Sequence, residues 1–375
     1  MLFNVCALYI KIMNNENQTI HKSDDNLTIY GWNEKLNLLK QESIYSALAH
    51  GRVSIVHRTC YEVISGNGLF QCELTGNMMY GKSDDELPCT GDWVIFQPFD
   101  EHKGIIVDRL PRERTLYRKK SGTVADKQAI ASYVDKAFIV QSLDDNFNVR
   151  RVERFMVQIM EENISSVLVL NKADLDFDRQ SVEEQIKHIS SQIPVFFTSI
   201  HQPETIVRLR KSILEGETVV FVGSSGVGKS SLVNALCEKS VLLTSDISLS
   251  TGKGRHTSTR REMVLMDSSG VLIDTPGVRE FGLAIDNPDS LAEVLEISDY
   301  AELCRFKDCK HINEPGCAVL EAVNSDVLDS KVYESYLKLR REAWHFSASE
   351  HEKRKKEKSF TKLVEEVKNR KDANR

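Results

Sequence analysis

The chain has 375 residues, a formal net charge of −6 at pH 7, and 41% hydrophobic and 28% charged residues. That length exceeds one ordinary domain and the composition is that of a folded globular chain, which excludes a disordered, fibrous or single-core protein. The negative sum excludes coating of nucleic acid by bulk positive charge and leaves local basic patches open.

Residues 1–50 are polar and irregular, with Asn and Asp clusters and one helix expected around residues 32–48; no function attaches to them. The apolar run 2–10 lacks preceding basic residues and a small-residue cleavage site, and no stretch reaches the roughly 18 apolar residues of a membrane helix. A cytoplasmic chain without membrane contact is therefore expected, with Met13 as an alternative start. From Gly51 to about Arg118, short β-prone runs at 52–57, 69–74, 93–97 and 105–108 alternate with Gly-containing turns. About five such strands in so short a segment point to a small barrel, with the OB-fold as the natural candidate. At its end Arg109, Arg112, Arg114, Arg118, Lys119 and Lys120 face only Glu113, a patch for nucleic acid or simply a solvated face.

Beyond residue 133 the pattern changes to continuous apolar runs at 137–140, 167–170, 195–197, 219–222 and 271–273, separated by helical stretches. Such runs read as a parallel sheet covered on both faces. Asn171-Lys172-Ala173-Asp174 follows the second run, at a strand's carboxyl end, where open α/β sheets bind ligands. An Asp174 carboxylate there accepts from both N1–H and the exocyclic amine of guanine, whereas adenine presents an acceptor at N1 and is repelled. The Lys172 stem can lie along the base plane. Thr198-Ser199-Ile200, after the third run, can approach the guanine from the opposite side.

Gly223-Ser224-Ser225-Gly226-Val227-Gly228-Lys229-Ser230 lies between the run 219–222 and an apolar-periodic helix opening at Ser231. This is the complete phosphate-loop pattern in its strand, loop, helix setting. Its glycines let backbone N–H groups and the helix N-terminus face phosphate oxygens, Lys229 reaches the β/γ-phosphates, and Ser230 offers a hydroxyl to Mg²⁺. Asp274 closes the run 271–273, 45 residues after Lys229, where a carboxylate meets the Mg²⁺ shell; Gly277 can offer its N–H to the γ-phosphate.

In Ras-like GTPases the phosphate loop comes first and the base-reading motif last. Here the base-reading motif precedes the phosphate loop by 52 residues. The same site can form only if the chain is circularly permuted, which folds tolerate when the old termini lie close together.

Further on, Cys304, Cys309, His311 and Cys317 give the spacing C-x4-C-x-H-x5-C. Three thiolates and one imidazole match a closed structural Zn²⁺ site, and in a long chain with eight Cys this pattern favours metal over disulfides. Cys237 reads as core on the phosphate-loop helix. A charged helix is expected from about Lys331, and residues 351–375 carry ten Lys/Arg against five Asp/Glu, a basic tail on an acidic body.

The permuted order, Gly254-Arg255-His256-Thr257-Ser258-Thr259, the run from Asp274 to Gly282 and the Cys/His cluster resemble the bacterial ribosome small-subunit-dependent GTPase A family (RsgA, or YjeQ), over roughly residues 50–345. The resemblance implies an N-terminal OB-fold barrel, a permuted GTPase domain with a mostly parallel sheet and a C-terminal helical zinc domain. It also implies late maturation of the small ribosomal subunit, with hydrolysis of GTP stimulated by that subunit. The chain then divides into an extension (1–50), an RNA-binding barrel (51–120), the GTPase domain (121–290), the zinc domain (291–345) and the tail (346–375). The partners implied are the small subunit with its rRNA and GTP/GDP, for a monomer. Ser258 stands where the family commonly has Thr, so Thr257 or Thr259 can join Mg²⁺ with Ser230 and Asp274; Thr257 is favoured. Ras-like enzymes carry a Gln after Asp-x-x-Gly to orient the attacking water, whereas this chain has Val278, which cannot. His256 is the nearest polar candidate by sequence, its alternative being a loop-stabilising histidine. The competing function is an RNA-binding adaptor in which GTP/GDP serves only as a structural switch.

Overall fold

A computed structural model of the chain describes residues 26–79, 85–119, 127–237, 262–266, 270–274, 291–292, 295 and 297–347. Met13, His256, Thr257, Thr259, Gly277, Val278, Lys120 and the tail 351–375 lie outside the described residues, as do the side chains of Asp274 and Lys119. The chain forms two compact units: residues 1–118 with 128–281, and residues 119–127 with 282–375.

In the first unit, strands β1 (Ala49–Val56), β2 (Tyr61–Ser65), β3 (Gly68–Leu74), β4 (Trp93–Asp100) and β5 (Lys103–Arg109) pair in the order β1-β2-β3-β5-β4. A further antiparallel pairing of β1 with β4 closes the ring into the expected OB-like barrel, in which β3 and β5 are parallel. Alternation drives the closure. In β2 the burial alternates along Tyr61–Ser65, and Val63, Phe70, Val94, Phe96 and Ile106 meet in the interior. β2 itself was not a separate run in the sequence, because Tyr61 and Glu62 break its apolar signal.

The segment that composition left without a role is part of this core. Leu27, Trp32 and Leu36 are buried against Trp93, Ile95, Leu110 and Tyr133, with the Trp32 ring 4.1 Å from His50 and 4.9 Å from Trp93. The expected helix is shorter than its pattern: α1 spans Glu34–Glu42, because Asn33 caps its first turn by accepting from Leu36 N–H and Ser43 is extended. Arg52, only 1% exposed, ties three parts of the chain together. It donates to the carbonyls of Tyr30 (2.5 Å) and Gly91 (3.0 Å) and to Thr218 Oγ1 (2.9 Å). Burial pulls its guanidinium down to about 10, which still leaves it charged at neutral pH.

Strands β6 (Leu116–Lys119) and β7 (Lys127–Ala131) form a separate pair. The remaining strands are β8 (Lys136–Ser142), β9 (Ser165–Asn171), β10 (Val195–Thr198), β11 (Thr218–Val222), β12 (Glu262–Leu265) and β13 (Val271–Asp274). They lie in the order β10-β9-β8-β11-β13-β12, parallel except for β12. β1 adds to the β12 edge through Ile55 and Glu262, so barrel and parallel sheet share one ladder. Helices α2 (Val149–Glu161), α3 (Arg179–Gln185), α4 (Pro203–Lys211) and α5 (Lys229–Cys237) connect the strands. Phe138, Val140, Val169, Val219 and Phe221 pack with Leu209 of α4 and Leu232, Val233 and Leu236 of α5, which is why these strands read as unbroken apolar runs. Cys237 is buried in the same cluster, as expected.

In the second unit a turn at Ser298–Ala301 is followed by α6 (Ala318–Asn324) and α7 (Ser330–Ser347), the latter matching the helix expected from Lys331. Among the described residues no helix is long and apolar enough to cross a membrane.

Candidate functional site

β11, β8 and β9 are neighbours, and their carboxyl ends carry the phosphate loop, the β8–α2 loop and the base-reading motif respectively. The topology therefore brings together what the sequence separates. Asn171 is the joint: its Nδ2 donates to the Val227 carbonyl at 2.9 Å, and its Oδ1 accepts from Thr198 Oγ1 at 3.3 Å. Gly228 makes room for it. A Cβ at Gly228 would lie 2.3 Å from Asn171 Nδ2, and its φ of +91° is one that side chains resist. Gly223, at φ +150°, is equally constrained, since a Cβ would meet the Val140 carbonyl at 2.4 Å.

Lys229 opens α5 and its Nζ donates to the carbonyls of Gly223 (2.8 Å) and Ser224 (2.7 Å), curled over the loop whose anion it would hold. Ser230 and Ser231 follow in the first turn of that helix, and Gly226 has open space around it. β13 runs parallel to β11 and brings the Asp274 backbone to the same end of the sheet.

At the base end, Lys172 has a φ of +59°, a turn that sends the chain back toward β10, where Ala173 N–H donates to the Thr198 carbonyl. Asp174 is exposed, and Ser199 Oγ donates to its Oδ1 at 2.5 Å. That hydrogen bond leads the causes that hold the Asp174 carboxyl below its usual range, so it is an anion at neutral pH. The Thr198-Ser199 loop does reach the base-reading motif, through Ser199 and Thr198.

Residues of the β8–α2 loop were missed by motif reading. Asp144 Oδ2 accepts from Lys172 Nζ at 2.8 Å, Asn146 Nδ2 reaches Ser224 Oγ at 3.3 Å, and Arg151 Nη1 donates to Ser224 Oγ at 2.9 Å. The one available signal was position: a polar Ser-Leu-Asp-Asp-Asn stretch directly after an apolar parallel strand. Burial alone would raise the Asp144 carboxyl, but hydrogen bonds from Lys172, Ser142 and Asn146 N–H outweigh it and leave it lowered.

In the second unit the ligand atoms of Cys304, Cys309, His311 and Cys317 all lie within 4.8 Å of one another. Cys304 Sγ is 3.8 Å from Cys317 Sγ, and His311 Nδ1 is 3.5 and 3.4 Å from these two sulfurs. A tetrahedron with Zn–S arms of about 2.3 Å has S···S edges of about 3.8 Å, so the set fits the ion. Burial, aided by Arg340, holds the His311 imidazole below its ordinary value, in the neutral form that ligates a metal. Tyr333 of α7 donates to the His311 carbonyl at 2.6 Å, anchoring the knuckle to the helix.

The RsgA GTPase family model matches residues 109–284. The small ribosomal subunit biogenesis GTPase RsgA 1 of Bacteroides thetaiotaomicron is 76% identical over 359 residues, covering 96% of this chain and 99% of that one. The small ribosomal subunit biogenesis GTPase RsgA of Methanosarcina acetivorans is 38% identical over 340 residues, covering 87% and 89%. Among solved structures, YjeQ from Thermotoga maritima superposes with a TM-score of 0.61 at 26% identity, covering 79% of this chain and 98% of that one. YloQ, a circularly permuted GTPase, superposes with a TM-score of 0.60 at 22% identity, covering 80% and 97%. These likenesses extend well beyond the residues whose motifs first suggested them.

Proposed function

The chain belongs to the RsgA GTPase family, and from that premise we propose how its own residues carry the reaction. It is a GTP hydrolase of small ribosomal subunit biogenesis. The observation that carries the residue assignment is the Asn171–Val227 hydrogen bond, which fastens the base-reading motif to the phosphate loop despite their reversed order in the chain.

In this reading Asp174 accepts from guanine N1–H and the 2-amine while Ser199 keeps it aimed and ionised, and the Lys172 stem covers the base. The N–H groups of residues 223–228 and the start of α5 receive the phosphates. Lys229 exchanges the neutral Gly223 and Ser224 carbonyls for charged β/γ-phosphate oxygens, which bind a cation more strongly. Ser230, Asp274 and Thr257 would hold Mg²⁺, which neutralises charge on the phosphates. Gly277 N–H contributes to the γ-phosphate, and His256 orients the water that Val278 cannot. Cys304, Cys309, His311 and Cys317 would hold one structural Zn²⁺, the cysteines binding as thiolates and the histidine as a neutral imidazole.

We further read the chain as a cytoplasmic monomer whose barrel, basic segment 109–120, zinc module and tail meet rRNA late in subunit maturation, with domain divisions near residues 120 and 290. The subunit then stimulates hydrolysis and release. The base assignment is tested by Asp174→Asn. Xanthine carries a carbonyl where guanine carries the 2-amine, so an amide at position 174 should favour XTP. The expected result is a loss of GTP affinity of roughly a hundredfold with a gain for XTP, as for loss of one bidentate charged contact. Unchanged preference for GTP would remove Asp174 from the base site.

A further inference from the structure

The phosphate loop and the base-reading motif each bind a different end of the nucleotide, and one other segment touches both. It is the β8–α2 loop with its flanks, Ser142 at the end of β8 and Arg151 in the first turn of α2, and it belongs to neither motif. At the base side Leu143 N–H donates to the Asn171 carbonyl at 2.9 Å, and Asp144 Oδ2 holds Lys172 Nζ at 2.8 Å. Asp144 is itself fixed: its Oδ1 accepts from Ser142 Oγ at 2.6 Å and from Asn146 N–H at 3.0 Å. At the phosphate side, Asn146 Nδ2 reaches Ser224 Oγ (3.3 Å) and the Ser225 carbonyl (3.5 Å). Arg151 Nη1 donates to Ser224 Oγ (2.9 Å), Asn146 Oδ1 (3.0 Å) and the Asn146 carbonyl (3.3 Å).

Two cations therefore converge on one residue of the phosphate loop, Lys229 on the Ser224 carbonyl and Arg151 on the Ser224 hydroxyl. Lys229 is positioned to leave for phosphate. Arg151 projects from the first turn of α2, and two of the three bonds its Nη1 makes tie it to Asn146. Asn148, which caps α2 by accepting from Arg151 N–H, fixes the backbone from which the guanidinium projects.

We propose that the β8–α2 loop is a positioning brace of the nucleotide site: Asp144 orders Lys172 for the base, Asn146 and Arg151 order Ser224 and Ser225 for the phosphates, and the loop locks the two ends into one register. The proposal rests on the nucleotide-site reading above. Both contacts are made to groups shared by GTP and GDP sites, so the brace sets affinity for either nucleotide rather than the rate of the chemical step.

The test uses the full chain, a fluorescent GTP and GDP, and the variants Arg151→Ala, Asp144→Ala and Arg151→Lys. Arg151→Ala and Asp144→Ala should each weaken GTP and GDP by the same factor, roughly tenfold for the loss of a charge-assisted hydrogen bond. Turnover at saturating GTP should stay within about twofold of wild type, and Arg151→Lys, which keeps a cationic donor, should recover most of the affinity. The nucleotide-free variants should melt with the wild type, separating a loosened site from a loosened fold. Unchanged affinities in both alanine variants would overturn the brace while leaving the nucleotide site intact. A fall in saturated turnover with unchanged affinity would overturn it too, since Arg151 would then act on the reacting phosphate. Failure of the wild-type chain to bind either nucleotide would overturn both readings together.

Discussion

In the proposed base site Asp174 would work only as an anion, because a protonated carboxyl cannot accept from both guanine donors at once. The Ser199 hydroxyl is the first reason its carboxyl sits below the ordinary range. The sign follows: with the folded-state value depressed, the charge is present through neutral and mildly acidic pH and is lost only as pH falls below the usual carboxylate value of about 4. Between roughly pH 8 and pH 5 any change in GTP affinity should therefore follow the nucleotide's own terminal phosphate, which titrates at about pH 6, and not Asp174. Ser199→Ala should move the acid limb upward, toward the ordinary carboxylate range. An acid limb that stays where it is in Ser199→Ala would show that another group reads the base. The base-reading tetrapeptide was legible in sequence because four consecutive residues carry it. Ser199 was only suggested, since a hydroxyl after a strand is common and its bond to Asp174 spans 25 residues.

At the scale of elements, the parallel strands were readable because both of their faces are covered, so nearly every position is apolar. The barrel strands were harder. β2 and β3 show the core only alternate residues, and bulges between Val53 and Ile55 and near Pro98 interrupt the pattern of their neighbours. The clustering of Cys304, Cys309, His311 and Cys317 was legible, as their spacing is local, but the attachment of this knuckle was not: Tyr333 binds the His311 carbonyl from 22 residues away. Leu303, Phe306 and Ile312 around it are exposed rather than packed, so beyond the hydrogen bonds from Tyr333 and Arg340 a bound ion would add much of what holds the loop. Removing zinc with a strong chelator should therefore collapse hydrogen-exchange protection from residues 298–324 while leaving β8, β9 and β11 protected. Structural zinc contributes about 10 kcal/mol or more in small sites, so the effect should be complete rather than graded. Protection that survived in chelated, zinc-free protein would mean that the cluster is held by packing.

For the whole molecule, the −6 charge first argued against nucleic acid, and the chain nonetheless belongs to a family of ribosome assembly GTPases. Net charge is a statement about the sum, while association with a polyanion depends on where cations cluster. The structure modifies even that picture for the segment 109–120. Arg112 is spent on buried Asp92 at 2.7 Å and Arg114 binds Asp135 at 2.8 Å, so part of an apparent basic patch is internal cement. The segment before the barrel went the other way: no function attached to it, yet from residue 26 onward it buries Leu27 and Trp32 and meets Arg52 through the Tyr30 carbonyl. Neither could be seen from composition, because both depend on partners far apart in sequence. Arg52 also binds Thr218 at the start of the strand leading to the phosphate loop, and β1 pairs with β12, so barrel and nucleotide domain form one mechanical unit.

The central claim, that this chain is a guanine-specific hydrolase answering to the small ribosomal subunit, meets its most direct test in one assay. Phosphate release by the full chain would be followed with GTP or ATP, alone and with purified small or large subunits. The expected result is slow turnover of GTP alone, a rise of roughly tenfold or more with small subunits only, and no turnover of ATP. Equal hydrolysis of ATP, or GTP turnover that small subunits leave unchanged, would contradict the account.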